Sequence, residues 1–234
     1  MDYMKKLNIP MSLPDITDLE REAVAGVMQT NYLSMGPCVR EFEDAVRSFT
    51  GSKHAIAVSS GTAGLHICVR TAGWQDGDWV ITTPFSFVSS ANVLLYERIT
   101  PIFVDVDPAT GNIDPQQVAC AASDISSSLE KAQKWLPPRG LSAQEKIKGI
   151  LAVDVFGQPA DYDPLRHTAD AFGIQLIEDS CESLGAEYKS RKAGTLADFG
   201  VFAFYPNKQI TTAEGGMVVT DNDAYADMLC ALRN

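Results

Sequence analysis

The sequence predicts an α/β fold in which helices cover both faces of a largely parallel sheet, a three-layer α/β/α sandwich. From residue 55 onwards, short runs rich in β-branched and aromatic residues alternate with longer stretches that carry apolar residues at helical spacing. Most of the short runs end in a polar or glycine-containing turn. Because open α/β sheets bind ligands at the carboxyl ends of their strands, we expect the functional residues in these turns.

Seven strands are predicted from the β-rich runs, at 55–59, 79–83, 101–105, 149–155, 175–178, 199–204 and 217–220. Helical spacing predicts helices between them at 62–72, 89–97 and 164–172, and two helices ahead of the sheet at 17–28 and 39–49. The polar stretch 123–148 contains two adjacent prolines and a glycine. It is predicted to form a short helix and an exposed loop without chemistry.

The length of 234 residues predicts one domain, an N-terminal segment followed by a large sheet domain over residues 1–234. An amphipathic run at 224–232 reaches the last residues with no turn or cap behind it. We therefore expect that a small C-terminal domain is missing or that the sequence is a fragment.

The net charge of -11 and the isoelectric point of about 4.7 disfavour a nucleic-acid or anionic-membrane partner, because long-range repulsion opposes both. The 5 cysteines have no zinc or redox spacing, so we expect no metal, and reduced thiols indicate a cytoplasmic protein. No stretch reaches the ~18 apolar residues of a membrane span. We expect a protein that is neither secreted nor membrane-embedded.

The first candidate site is the turn after the strand 55–59, where residues 58–65 read Val-Ser-Ser-Gly-Thr-Ala-Gly-Leu. A small-residue turn of this kind leaves backbone N–H groups free at a helix N-terminus, which suits a phosphate. The glycine spacings of dinucleotide and P-loop sites are absent. An ordinary helix N-cap is the competing interpretation.

Two acids, Glu178 and Asp179, follow the apolar run 175–177 at the expected ligand edge. Asp179 can accept a hydrogen bond from a protonated heterocyclic nitrogen, although a solvated Asp that caps the next helix is an equal alternative.

Lys208 comes just past the aromatic strand 199–204. An amine that forms a Schiff base must lose its charge for part of the time, and partial burial favours this loss. A solvated surface lysine is the alternative.

Phe85 and Phe87 follow the strand 79–83, and one of them can stack on a flat cofactor ring, although core packing is the commoner fate of such residues.

Further motifs accompany these sites in a fixed order: Gly-Pro at 36–37, Phe-Val-Asp-Val-Asp at 103–107, Asp-Val-Phe-Gly-Gln-Pro-Ala-Asp at 154–161, Leu-Gly-Ala at 184–186, Pro-Asn-Lys at 206–208 and Glu-Gly-Gly at 214–216. Together the motifs resemble the DegT/DnrJ/EryC1/StrS family of sugar aminotransferases, which depend on pyridoxal 5'-phosphate (PLP). The resemblance runs from about Pro10 to the last residue.

The resemblance implies the PLP-binding large domain of a fold type I aminotransferase. Phe87 would stack on the cofactor ring, Asp179 would pair with the pyridine nitrogen, and Lys208 would hold the cofactor as a Schiff base. Glu182 falls where the family often has Gln or His near the cofactor's hydroxyl. Three residues at the first turn would bind the cofactor phosphate: Gly61, Thr62 and Ala63.

Two departures from the family pattern are visible. Ala203, five residues before Lys208, stands where the family commonly has a Ser that donates a hydrogen bond to the phosphate. The absence of this serine hydroxyl is expected to weaken phosphate binding by ~1 kcal/mol or somewhat more. Family members also continue past this terminus with a segment that reaches the neighbouring subunit's active site and with a small C-terminal domain.

The implied reaction transfers an amino group from glutamate to a nucleotide-linked keto-deoxy-sugar, with 4-keto sugars favoured, in a homodimer. Lys208 and Asp179 would be the catalytic residues, and Lys208 would also move the proton.

One alternative is a dehydrase of the same family, which has His in place of this lysine. Another is a truncated, non-catalytic protein that binds PLP or a partner. A nicotinamide-dependent oxidoreductase lacks support because the glycine-rich dinucleotide turn is absent.

Overall fold

The computed structural model describes residues 10, 12–136 and 146–233. The strands of these residues are β1 (His54–Val58), β2 (Trp79–Thr82), β3 (Thr100–Phe103), β4 (Ile147–Val153), β5 (Gln175–Asp179), β6 (Glu187–Tyr188), β7 (Arg191–Lys192), β8 (Phe199–Ala203) and β9 (Gly216–Thr220).

Seven of the strands form one sheet in the order β1-β9-β8-β5-β4-β2-β3, and β6 pairs with β7 in a separate hairpin. Strand β9 is antiparallel to both of its neighbours, β1 and β8. The other pairs in the large sheet are parallel. The prediction of a largely parallel sheet is therefore confirmed, and all seven predicted strands are present with shifts of one or two residues at their ends.

The helices of the described residues are α1 (Asp18–Met28), α2 (Pro37–Thr50), α3 (Gly61–Thr71), α4 (Ser89–Tyr96), α5 (Pro115–Ser127), α6 (Leu129–Ala132), α7 (Tyr162–Phe172) and α8 (Asp223–Leu232). A single 3-10 turn follows β4 at Val155–Gly157. None of the helices in the described ranges is long and apolar enough to cross a membrane.

Alternation along the central strands explains why both faces of the sheet are covered. Ile150 of β4 and Leu176 of β5 belong to one buried cluster, whereas the residues that follow them, Leu151 and Ile177, belong to another. Successive side chains of a strand point to opposite faces, so strands with apolar residues on both faces need a layer on each side. Residues of α3, α4 and α8 complete one cluster, and residues of α5 and α7 complete the other. The predicted α/β/α sandwich is confirmed.

The stretch 123–148 differs from the prediction. Its first residues end α5, a helix of 13 residues that was not predicted, and α6 follows after one residue. Trp135 is half-buried against the core, and its indole N–H donates to Asp124 at 3.0 Å. The predicted short helix is present as α6, whereas the exposed loop is wrong at Trp135, which carries enough apolar surface to pack against the core. Residues 137–145 lie outside the described part of the chain.

Candidate active site at the carboxyl edge of the sheet

A cavity of about 800 Å³ opens where β4, β5 and β8 end. The predicted site motifs come from four different loops, and parallel strands bring such loops to one edge. Ala63 does not line the cavity. The other predicted site residues do: Gly61, Thr62, Phe87, Asp179, Glu182 and Lys208.

The start of α3 forms one wall of the cavity. Ser60 is the N-cap, and its hydroxyl oxygen accepts a hydrogen bond from the N–H of Ala63 at 3.0 Å. The N–H of Gly64 donates to the carbonyl of Ser60. Within the described residues no hydrogen bond uses the N–H groups of Gly61 and Thr62. The positive end of the helix therefore presents two backbone donors to the cavity, as an anion requires.

Gly61 is required at the first position of α3 by close packing. A Cβ atom placed there would lie 2.7 Å from Sγ of Cys181 and 2.8 Å from Cβ of Ala203, shorter than real contacts allow. Only glycine lets the helix begin so near the ends of β5 and β8. This approach brings the donors of α3 to the same cavity as the side chains that follow those two strands.

Asp179 is 5% exposed at the end of β5 and is held by two donors. Oδ2 accepts from the hydroxyl of Ser90 at 2.7 Å, and Oδ1 accepts from the backbone N–H of Cys181 at 3.3 Å. The residues that follow Asp179 form turns rather than a helix, so the alternative of a helix cap does not hold. Burial, with the Asp179 carboxylate beside it, raises the pKa of the Cys181 thiol well above its ordinary value, and Cys181 stays protonated.

Asp154 holds the turn 180–183, which carries Glu182, through hydrogen bonds to its side chains. One oxygen of this fully buried carboxylate accepts from the hydroxyls of Ser180 at 3.1 Å and Ser183 at 2.7 Å. The other oxygen accepts from the hydroxyl of Tyr162 at 2.9 Å. Burial raises the pKa of Asp154, and these hydrogen bonds act in the opposite direction.

Lys208 points into the cavity and is not a solvated surface lysine. Its side chain is 16% exposed, and Nζ donates to Oε1 of Glu182 at 3.1 Å. The other carboxylate oxygen of Glu182 accepts from the backbone N–H of Phe156 at 3.0 Å. Glu182 thus connects the amine to the loop that follows β4.

Phe156 was part of a motif in the sequence but received no role there. It has a φ of 54°, a left-handed conformation that costs a non-glycine residue about 1–3 kcal/mol. Its side chain lines the cavity, is 83% exposed and contacts the ring of Phe85 edge to face, with centroids 5.7 Å apart. A Phe-Gly pair directly after a strand was the available signal, because the glycine permits such a turn.

Phe87 lies at the rim of the cavity and is 75% exposed. Core packing, the alternative for this residue, is therefore absent, and its ring is free to cover a flat ligand. The stacking role stays a prediction.

The cavity as a whole fits PLP. It combines backbone donors for a phosphate, a buried carboxylate for a protonated ring nitrogen, aromatic side chains for a flat ring and one primary amine. The profile of the DegT/DnrJ/EryC1/StrS aminotransferase family matches residues 14–234. The chain belongs to this family.

Similar proteins agree with the family assignment. GDP-perosamine synthase of Caulobacter vibrioides is 35% identical over 226 residues, which cover 96% of this chain and 55% of that protein. The solved structure of PseC from Helicobacter pylori, an aminotransferase of pseudoaminic acid biosynthesis, has a TM-score of 0.79 and 30% identity, covering 94% of this chain and 54% of PseC. The chain spans about half the length of the relatives that it matches.

A second similar structure contains the cofactor. The GDP-4-keto-6-deoxy-D-mannose-3-dehydratase of Escherichia coli, solved with bound hydrated PLP, has a TM-score of 0.80 and 27% identity, with 95% of this chain and 54% of that chain covered. The resemblance to the family, the fold type and PLP as the cofactor of the family are therefore confirmed. The individual roles of the site residues stay predictions.

Proposed function

We propose that this protein is a PLP-dependent aminotransferase that transfers an amino group from glutamate to a nucleotide-linked keto-deoxy-sugar, with 4-keto sugars favoured. The observation that carries the proposal is the position of Lys208. Its amine lies in the cavity 3.1 Å from Glu182, and Asp179 and the start of α3 line the same space.

When bound, PLP supplies a ring that accepts the electron pair left on a substrate carbon after its proton departs. Lys208 is the residue that holds the cofactor covalently and, once released, moves a proton at the substrate carbon. Its 3.1 Å hydrogen bond to Glu182 aims Nζ into the cavity.

The carboxylate of Asp179 would accept a hydrogen bond from the protonated ring nitrogen. The hydroxyl of Ser90 orients this carboxylate by donating a hydrogen bond to it. The N–H groups of Gly61 and Thr62 hold the phosphate at the positive end of α3. Ala63 lies one residue further along, and its N–H is occupied by Ser60. Ala203 offers only a methyl group beside this position.

Relatives support the substrate class. GDP-perosamine synthase and PseC belong to amino-sugar synthesis by name, and the neighbouring dehydratase acts on a GDP-linked 4-keto-6-deoxy-sugar. The amino donor, glutamate, is proposed from the family resemblance. We also propose that the protein acts in the cytoplasm as a homodimer, in keeping with its free cysteines and the shared active sites of the family.

A sugar dehydrase is the second candidate, because a dehydratase is among the similar structures. Lys208 argues against it, since the dehydrases of the family have His at this position. The two reactions differ in their products: the transaminase replaces the keto oxygen with nitrogen, whereas the dehydrase removes a hydroxyl group.

The test uses the purified protein with PLP, glutamate and a 4-keto-6-deoxyhexose linked to TDP or GDP, and mass spectrometry of the sugar product. Wild type and Lys134→Ala, an exposed-lysine control on the surface, should release 2-oxoglutarate and form the amino sugar. Lys208→Ala should form neither. A deoxygenated product without added nitrogen would establish the dehydrase instead, and binding of PLP with no turnover would establish the non-catalytic alternative.

A further inference from the structure

Phe156 and Phe85 form an exposed aromatic pair at the cavity, with their centroids 5.7 Å apart and their planes at 85°. We propose that this pair determines substrate specificity by contacting a deoxygenated carbon of the sugar beside Lys208. The inference rests on the proposed function, because it assigns the residues that select the sugar within the same reaction.

The position of Phe156 indicates which part of a substrate meets its ring. Its N–H donates to one carboxylate oxygen of Glu182, and Nζ of Lys208 donates to the other. The backbone of Phe156 is therefore one carboxylate group away from the reacting amine. The part of a sugar nucleotide that enters here is the keto-sugar, since the diphosphate separates the nucleobase from the reacting carbon.

The backbone at Phe156 is built to project the ring rather than to bury it. The residue is left-handed with a φ of 54°, and the next residue, Gly157, has a φ of 86°. A Cβ at Gly157 would lie 2.9 Å from the carbonyl oxygen of Glu182, so only glycine allows this close approach. A strained, bulky residue held by its neighbours, with 83% of its side chain exposed, is typical of a functional position.

The chemistry of the two rings indicates what they select. A phenyl ring offers apolar surface and has no hydrogen-bond donor or acceptor, unlike the tyrosine or tryptophan rings. A hydroxyl group pressed against this pair would lose its water and gain no partner, whereas a methyl or methylene group would not. The pair therefore favours a sugar whose carbon at this wall lacks its hydroxyl, such as a 6-deoxyhexose.

Calorimetric titration tests the inference without turnover. The probes are a nucleoside diphosphate, its 6-deoxyhexose conjugate and its 6-hydroxyhexose conjugate, in the GDP and TDP series. For wild type we expect tighter binding of the 6-deoxy conjugate. Phe156→Ala should weaken binding of this conjugate roughly tenfold and should reduce its advantage over the 6-hydroxy conjugate. Phe156→Leu should retain part of the preference.

Two further variants separate recognition from stability. Phe156→Gly removes the ring and relieves the left-handed strain, so its melting temperature should equal or exceed that of wild type while the 6-deoxy preference is lost. Phe172→Ala removes another partly exposed phenyl ring, at the end of α7 and the opposite edge of the sheet, and should leave all affinities unchanged.

An unchanged ratio of the two sugar affinities in Phe156→Ala would overturn the inference. So would weaker binding of the free nucleoside diphosphate, which would place the base on the ring, or an altered oligomeric state, which would place a second copy there. Release of 2-oxoglutarate from glutamate by wild type separates a failure of this inference from a failure of the proposed function. If this half-reaction is absent, or no sugar nucleotide binds, the proposed function itself fails.

Discussion

Ser90 and Asp179 are 89 residues apart in the chain, yet the Ser90 hydroxyl donates a 2.7 Å hydrogen bond to Oδ2 of Asp179. Ser90 is 1% exposed, and its own oxygen lies 2.7 Å from the hydroxyl of Ser86. Because water cannot replace the donor at a buried site, this hydroxyl fixes which way the carboxylate faces. The second lone pair of each oxygen remains available to the cavity.

Ser90→Ala should therefore weaken PLP binding, because Asp179 loses a buried donor worth about 1–3 kcal/mol. The measurement is the Kd of PLP by absorbance titration. Ser90→Thr keeps the hydroxyl and should bind PLP close to the wild-type level. If Ser90→Ala and Ser90→Thr bind PLP equally, the orientation of Asp179 does not depend on this hydrogen bond.

Ala203→Ser should tighten PLP binding, since it restores the hydroxyl that the family commonly places beside the phosphate. A new hydrogen bond to a charged group is worth about 1 kcal/mol or more, roughly a fivefold fall in Kd. Ala203→Val is the control, because it adds bulk without a donor and should weaken binding. An equal or higher Kd in Ala203→Ser would show that the phosphate does not reach residue 203.

Gly61→Ala should destabilise the protein by about 1–3 kcal/mol, because the new Cβ would lie 2.7 Å from Cys181 and 2.8 Å from Ala203. PLP affinity should fall with it, as α3 moves away from the cavity. Gly26→Ala, in the exposed helix α1 with no atom within 4 Å of the new Cβ, is the matched control. It should gain up to about 1 kcal/mol. Equal effects of the two changes in urea unfolding would contradict the packing argument.

Glu97 should make stability depend on pH. The hydrogen bond from His66, followed by that from Arg70, lowers the pKa of Glu97 from its ordinary value of 4.5. Because the pKa of Glu97 is lower in the folded state, the ionised carboxylate stabilises the fold. This contribution to the free energy of unfolding is present above pH 4.5 and is lost as the pH falls through the pKa of the folded state. Glu97→Gln should lower the free energy of unfolding at pH 7 by up to about 1 kcal/mol, measured as a lower melting temperature, and should have little effect near pH 3.

The exposed residue Glu22 of α1 is the control for this change, and Glu22→Gln should alter the melting temperature little at either pH. A loss in Glu97→Gln that is as large near pH 3 as at pH 7 would assign the effect to packing rather than charge.

Strands were well predicted because the central strands carry runs of apolar residues and end in clear turns. Helix α5 was missed because its core-facing residues include the small Ala121 and Ala122, which give little contrast with their polar neighbours. Its beginning was nevertheless marked, since Asp114 accepts from the N–H of Gln116 at 2.8 Å and Pro115 is the first helical residue.

The site was predicted where local sequence carries the signal, as at the turn after β1 and at the lysine after β8. Ser90 could not be identified in this way, because its partner is distant in sequence and any serine can begin a helix. The exposed ring of Phe156 was marked only indirectly, by the glycine that follows it. An aromatic residue after a strand is more often buried, and its left-handed backbone follows from contacts with Glu182.

The proposed role of Lys208 is tested most directly by identifying the lysine that holds the cofactor. The purified protein is incubated with PLP, reduced with borohydride and digested, and the modified peptide is identified by mass spectrometry. A stable phosphopyridoxyl group is expected on Lys208 in wild type and none on that peptide in Lys208→Ala. A modification at another lysine, or unchanged labelling in Lys208→Ala, would contradict this role.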